Sequence, residues 1–300
     1  MRENISDAVI GVDIGKTKIA SGIVKKDGQL LYKREVNTNM KEGGMAIVNQ
    51  CISLIRKALD GSKYSPSNIG IGSSGVVDYK NGVVVSSGSI PKWHNIRLKE
   101  IIEKTFGLPT KIDNDVHVAA LGEHYFGAGR GIRNSVYLTI STGIGVGVVY
   151  QGKIWHGSHG LSGQIAHLPL FGSKTVNDMF SGNGIARRAS KLMGINLSTS
   201  DVFNEARKNN KVARKIIEEA IEGASKTIAL FSNIIDPDIF IVGGSVALKQ
   251  ENFLTRIKDR TKKILSKYEL QLPYGPVIKR AELGEDAGVI GAASLWLDGE

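Results

Sequence analysis

The stretch that decides the fold is Val9–Thr17, VIGVDIGKT, where a β-branched apolar run ends in an aspartate and a glycine turn. Its end resembles a P-loop, but the chain has Ile10 where the GxxxxGK motif has its first glycine. The residues that follow, Lys18–Val24, are rich in β-branched side chains and predict a strand rather than the helix that a P-loop opens. We therefore predict a strand-turn-strand phosphate site, in which Asp13 and the backbone N–H groups of the turn face phosphate oxygens.

The second half of the chain repeats this pattern. The strand-like run from Val136 ends in a glycine turn at 141–145, and a further strand follows, which indicates a duplicated topology. Two such turns facing each other would hold a triphosphate, and a third glycine turn at 243–245 could pass under an adenine ring. The predicted nucleotide-binding residues are Asp13, Gly15, Lys16, Thr17, Lys18, Ser141, Thr142, Gly143, Gly145, Gly243, Gly244 and Ser245.

Composition limits the class of protein. The 300 residues are 41% hydrophobic and 23% charged, which is typical of a globular chain of one or two domains. One cysteine, Cys51, excludes an internal disulfide, so we expect a cytoplasmic protein. The net charge of +10 is spread along the chain, and the densest basic run, Lys258–Lys267, alternates with apolar residues. This spacing predicts a solvated helix face and no nucleic-acid partner. No apolar run approaches the ~18 residues of a membrane span, so we expect no membrane partner.

Local patterns predict an α/β chain. Three antiparallel strands open it, with a turn at Asp27-Gly28. Further strands are predicted at 68–73, 136–141 and 239–242, and helices at 46–59, 98–106, 184–193, 212–235 and 286–297. No linker divides the chain, so we expect any domain boundary to be a hinge near Val118–Gly122.

Several motifs together resemble the ROK family of sugar kinases, with N-acetylmannosamine kinases as the nearest members. These motifs are DxGxT from Asp13, DND at 113–115, STGIGVG at 141–147, a loop ending at His167, VGGS at 242–245 and DAG at 286–288. The resemblance implies an actin-like ATPase (ribonuclease H-like) fold with two α/β domains around a central cleft. The N-terminal domain would comprise residues 1–118 and the C-terminal helix 286–300, and the larger C-terminal domain residues 119–285.

The resemblance also implies an activity: transfer of the γ-phosphoryl of ATP, with Mg²⁺, to the 6-hydroxyl of N-acetylmannosamine by a cytoplasmic homodimer. Asp115 would be the catalytic base, because phosphoryl transfer needs a carboxylate beside the attacking hydroxyl; Asp113 is the competing candidate. Asp13 would orient water around Mg²⁺. The sugar-binding residues would be Gly75, Val76, Asn114, Asp115, Gln164, His167 and Asp178.

This chain departs from the family pattern at three places. Lys16 stands where a glycine is usual, which puts a cation beside the phosphates. Gln164-Ile165-Ala166-His167 replaces the usual Glu-x-Gly-His, and an amide there favours an acetamido sugar. The segment after this loop has no cysteine, so we expect no zinc; His156, His159 and His167 show no carboxylate or thiolate partner in the sequence.

Other functions stay open. A glucokinase, fructokinase or other hexose kinase of the same family would differ only in the pocket for the sugar 2-position. A sugar-sensing repressor would carry a helix-turn-helix before the first strand, where this chain has eight residues before Val9. A non-catalytic sugar binder would be expected to lose Asp115 or the phosphate-binding glycines, which are present.

Overall fold

The computed structural model describes residues 8–267 and 275–297, and the chain divides into two compact units. Unit 1 takes the described residues of Met1–Gly131, Gly147–Ser162 and Glu285–Glu300, and unit 2 those of Ile132–Val146 and Gly163–Gly284. Within the described residues, no helix is both long enough and apolar enough to cross a membrane.

Unit 1 contains the opening strands and the closing helix of the chain. Its elements are β1 (Ala8–Ile14), β2 (Lys18–Lys25), β3 (Leu30–Asn37), α1 (Gly44–Asp60), β4 (Asn68–Ser73), β5 (Val76–Asp78), β6 (Val83–Ser86), β7 (His94–Ile96), α2 (Leu98–Phe106), β8 (Thr110–Asn114), α3 (Asp115–Phe126), β11 (Lys153–Ile154) and α10 (Ala287–Ser294). Strand β10 (Ile144–Tyr150) begins in unit 2 and ends in unit 1.

The main sheet of unit 1 has the order β3-β2-β1-β4-β8. Strands β1, β2 and β3 are antiparallel, as predicted, and the turn after β2 uses Gly28 at a positive φ of 84°. Strands β4 and β8 run parallel to β1. The carboxyl ends of these three parallel strands carry Asp13, Ser73 and Asn114, so the sheet places the predicted site residues Asp13 and Asn114 along one edge.

Helix α10 lies very close to this sheet and to α3, because glycines remove the side chains in between. A Cβ at Gly70 of β4 would lie 1.8 Å from the carbonyl oxygen of Ala292, and one at Gly11 of β1 would lie 2.0 Å from that of Val289. A Cβ on Gly291 of the helix itself would lie 1.8 Å from the carbonyl oxygen of Val118. The predicted small-residue closing helix is therefore present.

Helix α3 corrects the expected hinge. The segment Val118–Gly122 is the middle of a continuous helix rather than a hinge, and every residue from His117 to Glu123 is buried. The predicted boundary at 118/119 falls inside this helix, all of which belongs to unit 1. The division into functional domains stays a prediction, and residues 298–300 of its C-terminal helix lie outside the described part.

Unit 2 combines a parallel set of strands with most of the helices. Its elements are β9 (Ser135–Ile140), α4 (Val176–Phe180), α5 (Gly182–Met193), α6 (Thr199–Arg207), α7 (Lys211–Ile234), β12 (Ile239–Gly243), α8 (Ser245–Lys249), α9 (Phe253–Lys267) and β13 (Ile278–Arg280), with the start of β10. Strands β9 and β13 flank β12, both parallel to it. The sequence patterns had not indicated the short helices α4 and α6, whose N-termini are formed by capping boxes at Thr175 and Ser198.

Candidate active site

The residues predicted to bind substrates fall into two groups, one in each unit. Unit 1 holds the turn Asp13–Lys18 together with Gly75, Val76, Asn114 and Asp115, and unit 2 holds the remaining ones. Each group is described by itself below.

Asn114 and Asp115 form the junction between β8 and α3. Asn114 is the N-cap of the helix, and its side-chain oxygen accepts from the backbone N–H groups of Val116 (2.9 Å) and His117 (3.3 Å). Asp115 is the first helical residue, where the positive end of the helix dipole stabilises a carboxylate. The helix start thus fixes the position of the predicted base.

The Asp115 carboxyl lies near that of Asp13 at the end of β1. Burial raises the pKa of Asp115 to about 6, so the group is mainly ionised at neutral pH and can accept a proton. Burial and the charge of Asp115 raise the pKa of Asp13 to about 7. A carboxyl whose ionisation is disfavoured by a neighbouring negative charge suits a bound divalent cation, so the residues present fit hydrated Mg²⁺ beside Asp13.

The turn between β1 and β2 is stabilised from two sides. The backbone N–H of Gly15 donates to the carbonyl of Lys18 at 3.0 Å, and the Thr38 hydroxyl donates to the carbonyl of Gly15 at 2.8 Å. Lys16 and Thr17 are exposed. The Lys18 ammonium instead contacts Glu35 (3.1 Å) and Glu285 (3.3 Å), so a phosphate contact by Lys18 would have to compete with two carboxylates.

Gly75 and Val76 lie beside this junction. Gly75 has a φ of 111°, and a Cβ there would lie 2.2 Å from the carbonyl oxygen of Ser86, so the turn admits only glycine. Its carbonyl accepts from the side-chain amide of Asn114 at 2.8 Å. The structure therefore brings together three of the predicted sugar-binding residues of unit 1, Gly75, Asn114 and Asp115, with Val76 adjacent to Gly75.

Asp113, the competing candidate for the base, is buried and held by two histidines. His117 Nδ1 lies 3.0 Å from one carboxylate oxygen and His156 Nε2 lies 2.6 Å from the other. Burial opposes the charge, but the hydrogen bonds to His117 and His156 hold the pKa of Asp113 at about 2. The same Asp113 bond outweighs burial at His117 and raises its pKa above the usual range. Since its oxygens are already occupied, Asp113 is poorly placed to act as a base.

Sequence reasoning missed His117 at this site, and it considered His156 without its contact to Asp113. His117 follows Asp113 by four residues, but Asp113 ends a strand and His117 lies in the helix after it, so no single periodicity in the sequence indicated the pair. His156 had no carboxylate partner in the sequence, and the structure supplies Asp113 as that partner. Of the other histidines considered with it, His159 and His167 are exposed.

The glycine turn of unit 2 is held by a residue far away in sequence. The backbone N–H of Ile144 donates to the side-chain oxygen of Asn177 in α4 at 2.8 Å. The hydroxyls of Ser141 and Ser245 lie 3.1 Å apart, which joins this turn to the glycine pair before α8. Gly244 has a φ of 88°, and a Cβ there would lie 2.5 Å from the carbonyl oxygen of Ile140. The nucleotide residues predicted at 141–145 and 243–245 thus come together, and Asn177 had no signal in the sequence.

The predicted sugar loop of unit 2 exposes the side chains of Gln164 and His167. The carbonyl of Ala166 accepts from the backbone N–H of Asn177 at 2.9 Å, which joins the loop to α4. The carboxylate of Asp178 already has partners within the protein. It accepts from the backbone N–H of Thr175 at 3.0 Å and pairs with Arg187. Its role as a sugar contact stays a prediction that must compete with these bonds.

Comparison with known proteins shows which family this chain belongs to. The ROK family model matches residues 9–299, so the chain belongs to the ROK family, and its fold is the actin-like ATPase fold. A glucokinase from Halalkalibacterium halodurans is 31% identical over 96% of this chain and 94% of its own length. A bifunctional enzyme NanE/NanK from Brucella melitensis is 30% identical over 97% of this chain, which spans about half (54%) of that protein.

A solved structure adds ligands to the comparison. A ROK family glucokinase from Streptomyces griseus, in complex with glucose and AMPPNP, is 28% identical, with a TM-score of 0.80 over 96% of this chain and 98% of that one. This chain is therefore similar, over nearly its whole length, to a protein crystallised with a sugar and an ATP analogue.

Proposed function

We propose that this protein is an ATP-dependent sugar kinase that transfers the γ-phosphoryl group to the 6-hydroxyl of N-acetylmannosamine. The observation that carries the proposal is Asp115: an ionisable carboxyl with a pKa of about 6, fixed at a helix N-terminus and near the Asp13 carboxyl. The homodimer and the cytoplasmic location implied by the family resemblance belong to the same proposal.

Asp115 would remove the proton of the attacking hydroxyl. The hydroxyl oxygen forms a bond to the γ-phosphorus, the bond between that phosphorus and the bridging oxygen breaks, and ADP leaves with the bond's electron pair. The proton stays on the Asp115 carboxyl until solvent removes it. Bound Mg²⁺ would neutralise phosphate charge, and Asp13 would hold its water ligands.

Backbone N–H groups would bind the nucleotide phosphates. The glycine turns at Asp13–Lys18 in unit 1 and at 141–145 in unit 2 are both held by hydrogen bonds within their own unit. A preformed turn loses little conformational entropy on binding a phosphate. The exposed ammonium of Lys16 adds a positive charge to the first turn.

The proposal of N-acetylmannosamine as the phosphoryl acceptor rests on Gln164. Its exposed amide can both donate to and accept from an N-acetyl group, whereas a glutamate there would only accept. Glucose is the second candidate, because relatives at 29% to 31% identity are named glucokinases.

The experiment is a coupled assay of ADP release with Mg·ATP, with and without N-acetylmannosamine, followed by NMR of the product. We expect sugar-dependent ADP release and a phosphate on O6. Release that is equal without sugar would show an ATPase, and a phosphate on O1 would overturn the assigned position.

A further inference from the structure

Asp113, His117 and His156 form a compact set of metal-binding side chains, here called the Asp113 cluster. Their ligand atoms all lie within 4.8 Å of one another. Asp113 belongs to the end of β8, His117 to the first turns of α3, and His156 to the segment after β11. The side chains are 4%, 2% and 16% exposed, respectively, so water screens the cluster poorly.

His117 lies between two groups that can only accept hydrogen bonds. Its Nε2 is 3.1 Å from the carbonyl oxygen of Ser162, and its Nδ1 is 3.0 Å from a carboxylate oxygen of Asp113. A neutral imidazole has one N–H group. When Nε2–H donates to Ser162, the lone pair of Nδ1 points at a negative oxygen, and this arrangement requires a cation at Nδ1.

The bond to Ser162 is also the arrangement that metal-ligating histidines use. Such histidines donate their second N–H to a carbonyl or carboxylate, which fixes the ring and leaves the other nitrogen for the metal. His156 is fixed in a different way, since its ring stacks on Tyr79 with 3.6 Å between ring centroids and 7° between ring planes. Its Nε2 points at the second Asp113 oxygen at 2.6 Å.

We propose that the Asp113 cluster binds one divalent transition-metal ion of the zinc type. The ligands are a carboxylate oxygen of Asp113, Nδ1 of His117 and Nε2 of His156. Two imidazoles and one carboxylate favour Zn²⁺ and its neighbours over Mg²⁺ or Ca²⁺, which prefer oxygen ligands. Three protein ligands leave a fourth position for water.

The ion would join the segment containing His156 and Ser162 to the start of α3, where Asn114 and Asp115 lie. A ligand that binds the folded chain more tightly than the unfolded chain raises the melting temperature, so metal binding has a readout that is independent of activity. The inference does not rest on the proposed function, because it concerns only the donor atoms of the cluster.

The test uses the full chain with any affinity tag removed, after treatment with a chelator and dialysis. Titration with ZnCl₂ in a calorimeter is expected to show one ion per chain, and Co²⁺ is expected to give the intense visible bands of a four-coordinate site. His117→Ala and His156→Ala are expected to bind Zn²⁺ at least about 100-fold more weakly, because each removes a ligand. His159→Ala changes an exposed histidine three residues after His156 and is expected to bind like the wild type.

Two results would overturn the proposal. One is wild-type protein that takes up no stoichiometric Zn²⁺ and gives only the weak spectrum of hydrated Co²⁺, which needs no variant to fold. The other is equal Zn²⁺ affinity in the wild type and in folded His156→Ala. Either would mean that a proton on His117 is the cation and that the cluster is a hydrogen-bond network.

Discussion

The side-chain amide nitrogen of Asn114 donates to the carbonyl of Gly75 at 2.8 Å, while the oxygen of the same amide caps helix α3. One side chain therefore fixes the distance between the glycine turn after β4 and the helix that begins with Asp115. An amide has two N–H donors, so the bond to Gly75 leaves a second donor, which we propose binds a sugar hydroxyl.

Replacement of Asn114 is expected to separate these roles. Asn114→Ala removes the cap and the bond to Gly75, and we expect a loss of about 1 to 2 kcal/mol in the free energy of unfolding by urea. Asn114→Asp keeps a capping oxygen, so we expect a smaller loss of stability but a higher KM for the sugar. An alanine variant as stable as the wild type would contradict the capping role.

Removal of the proton acceptor is expected to abolish most turnover. Asp115→Asn keeps the size and shape of the side chain but cannot accept the hydroxyl proton, so kcat should fall by about 10² or more. Its thermal unfolding should resemble that of the wild type. The matched control is Asp259→Asn, on an exposed aspartate of α9, which should keep wild-type kcat. A wild-type kcat in Asp115→Asn would refute the assignment of Asp115 as the base.

The close approach of α10 to β4 predicts a strong effect of one methyl group. Gly70→Ala would place a Cβ 1.8 Å from the carbonyl oxygen of Ala292, and we expect a loss of about 1 to 3 kcal/mol in unfolding free energy. Gly88→Ala is the control, because a Cβ there has no heavy atom within 4 Å. Equal stability of the two variants would show that α10 does not pack on β4 this closely.

Cys51 is expected to be inert in the folded protein. It is buried in the apolar face of α1, and burial raises the pKa of its thiol to about 12. Because the thiol stays neutral when folded but ionises when unfolded near pH 8.5, the stability of the protein should fall as the pH rises above that value. A thiol reagent at pH 8 should label Cys51 only at the rate of unfolding, and immediate labelling in native buffer would contradict its burial.

Local chemistry in the sequence predicted much of the fold. The strands of the opening meander, the turn at Gly28 and the buried stripe of α1 follow from residue patterns within a few positions. Helix α3 was missed because an unbroken run from His117 to Glu123 is buried, so the alternation of apolar and polar residues that marks a surface helix is absent. The burial of all sides of such a helix in its middle depends on partners that are distant in sequence.

The site could be predicted only where its residues are close in sequence. The pair Asn114 and Asp115 and the glycine turns were predicted from short motifs. The contacts of His156 with Asp113 and of Asn177 with Ile144 join residues 43 and 33 positions apart, and no local pattern predicts them. Asp178 shows the opposite problem, since the nearby residues Thr175 and Arg187 bind a carboxylate that a motif had assigned to the sugar.

The central claim is tested most directly by ADP release from Mg·ATP with N-acetylmannosamine, N-acetylglucosamine, mannose, glucose and fructose at equal concentrations. We predict release that depends on the sugar, is fastest with N-acetylmannosamine and is lost in Asp115→Asn. Faster ADP release with glucose than with N-acetylmannosamine would leave the assignments of a sugar kinase and of Asp115 as its base intact. It would reject the acetamido acceptor that we propose from Gln164. Absence of sugar-dependent release with every acceptor would contradict the claim that this protein is a sugar kinase.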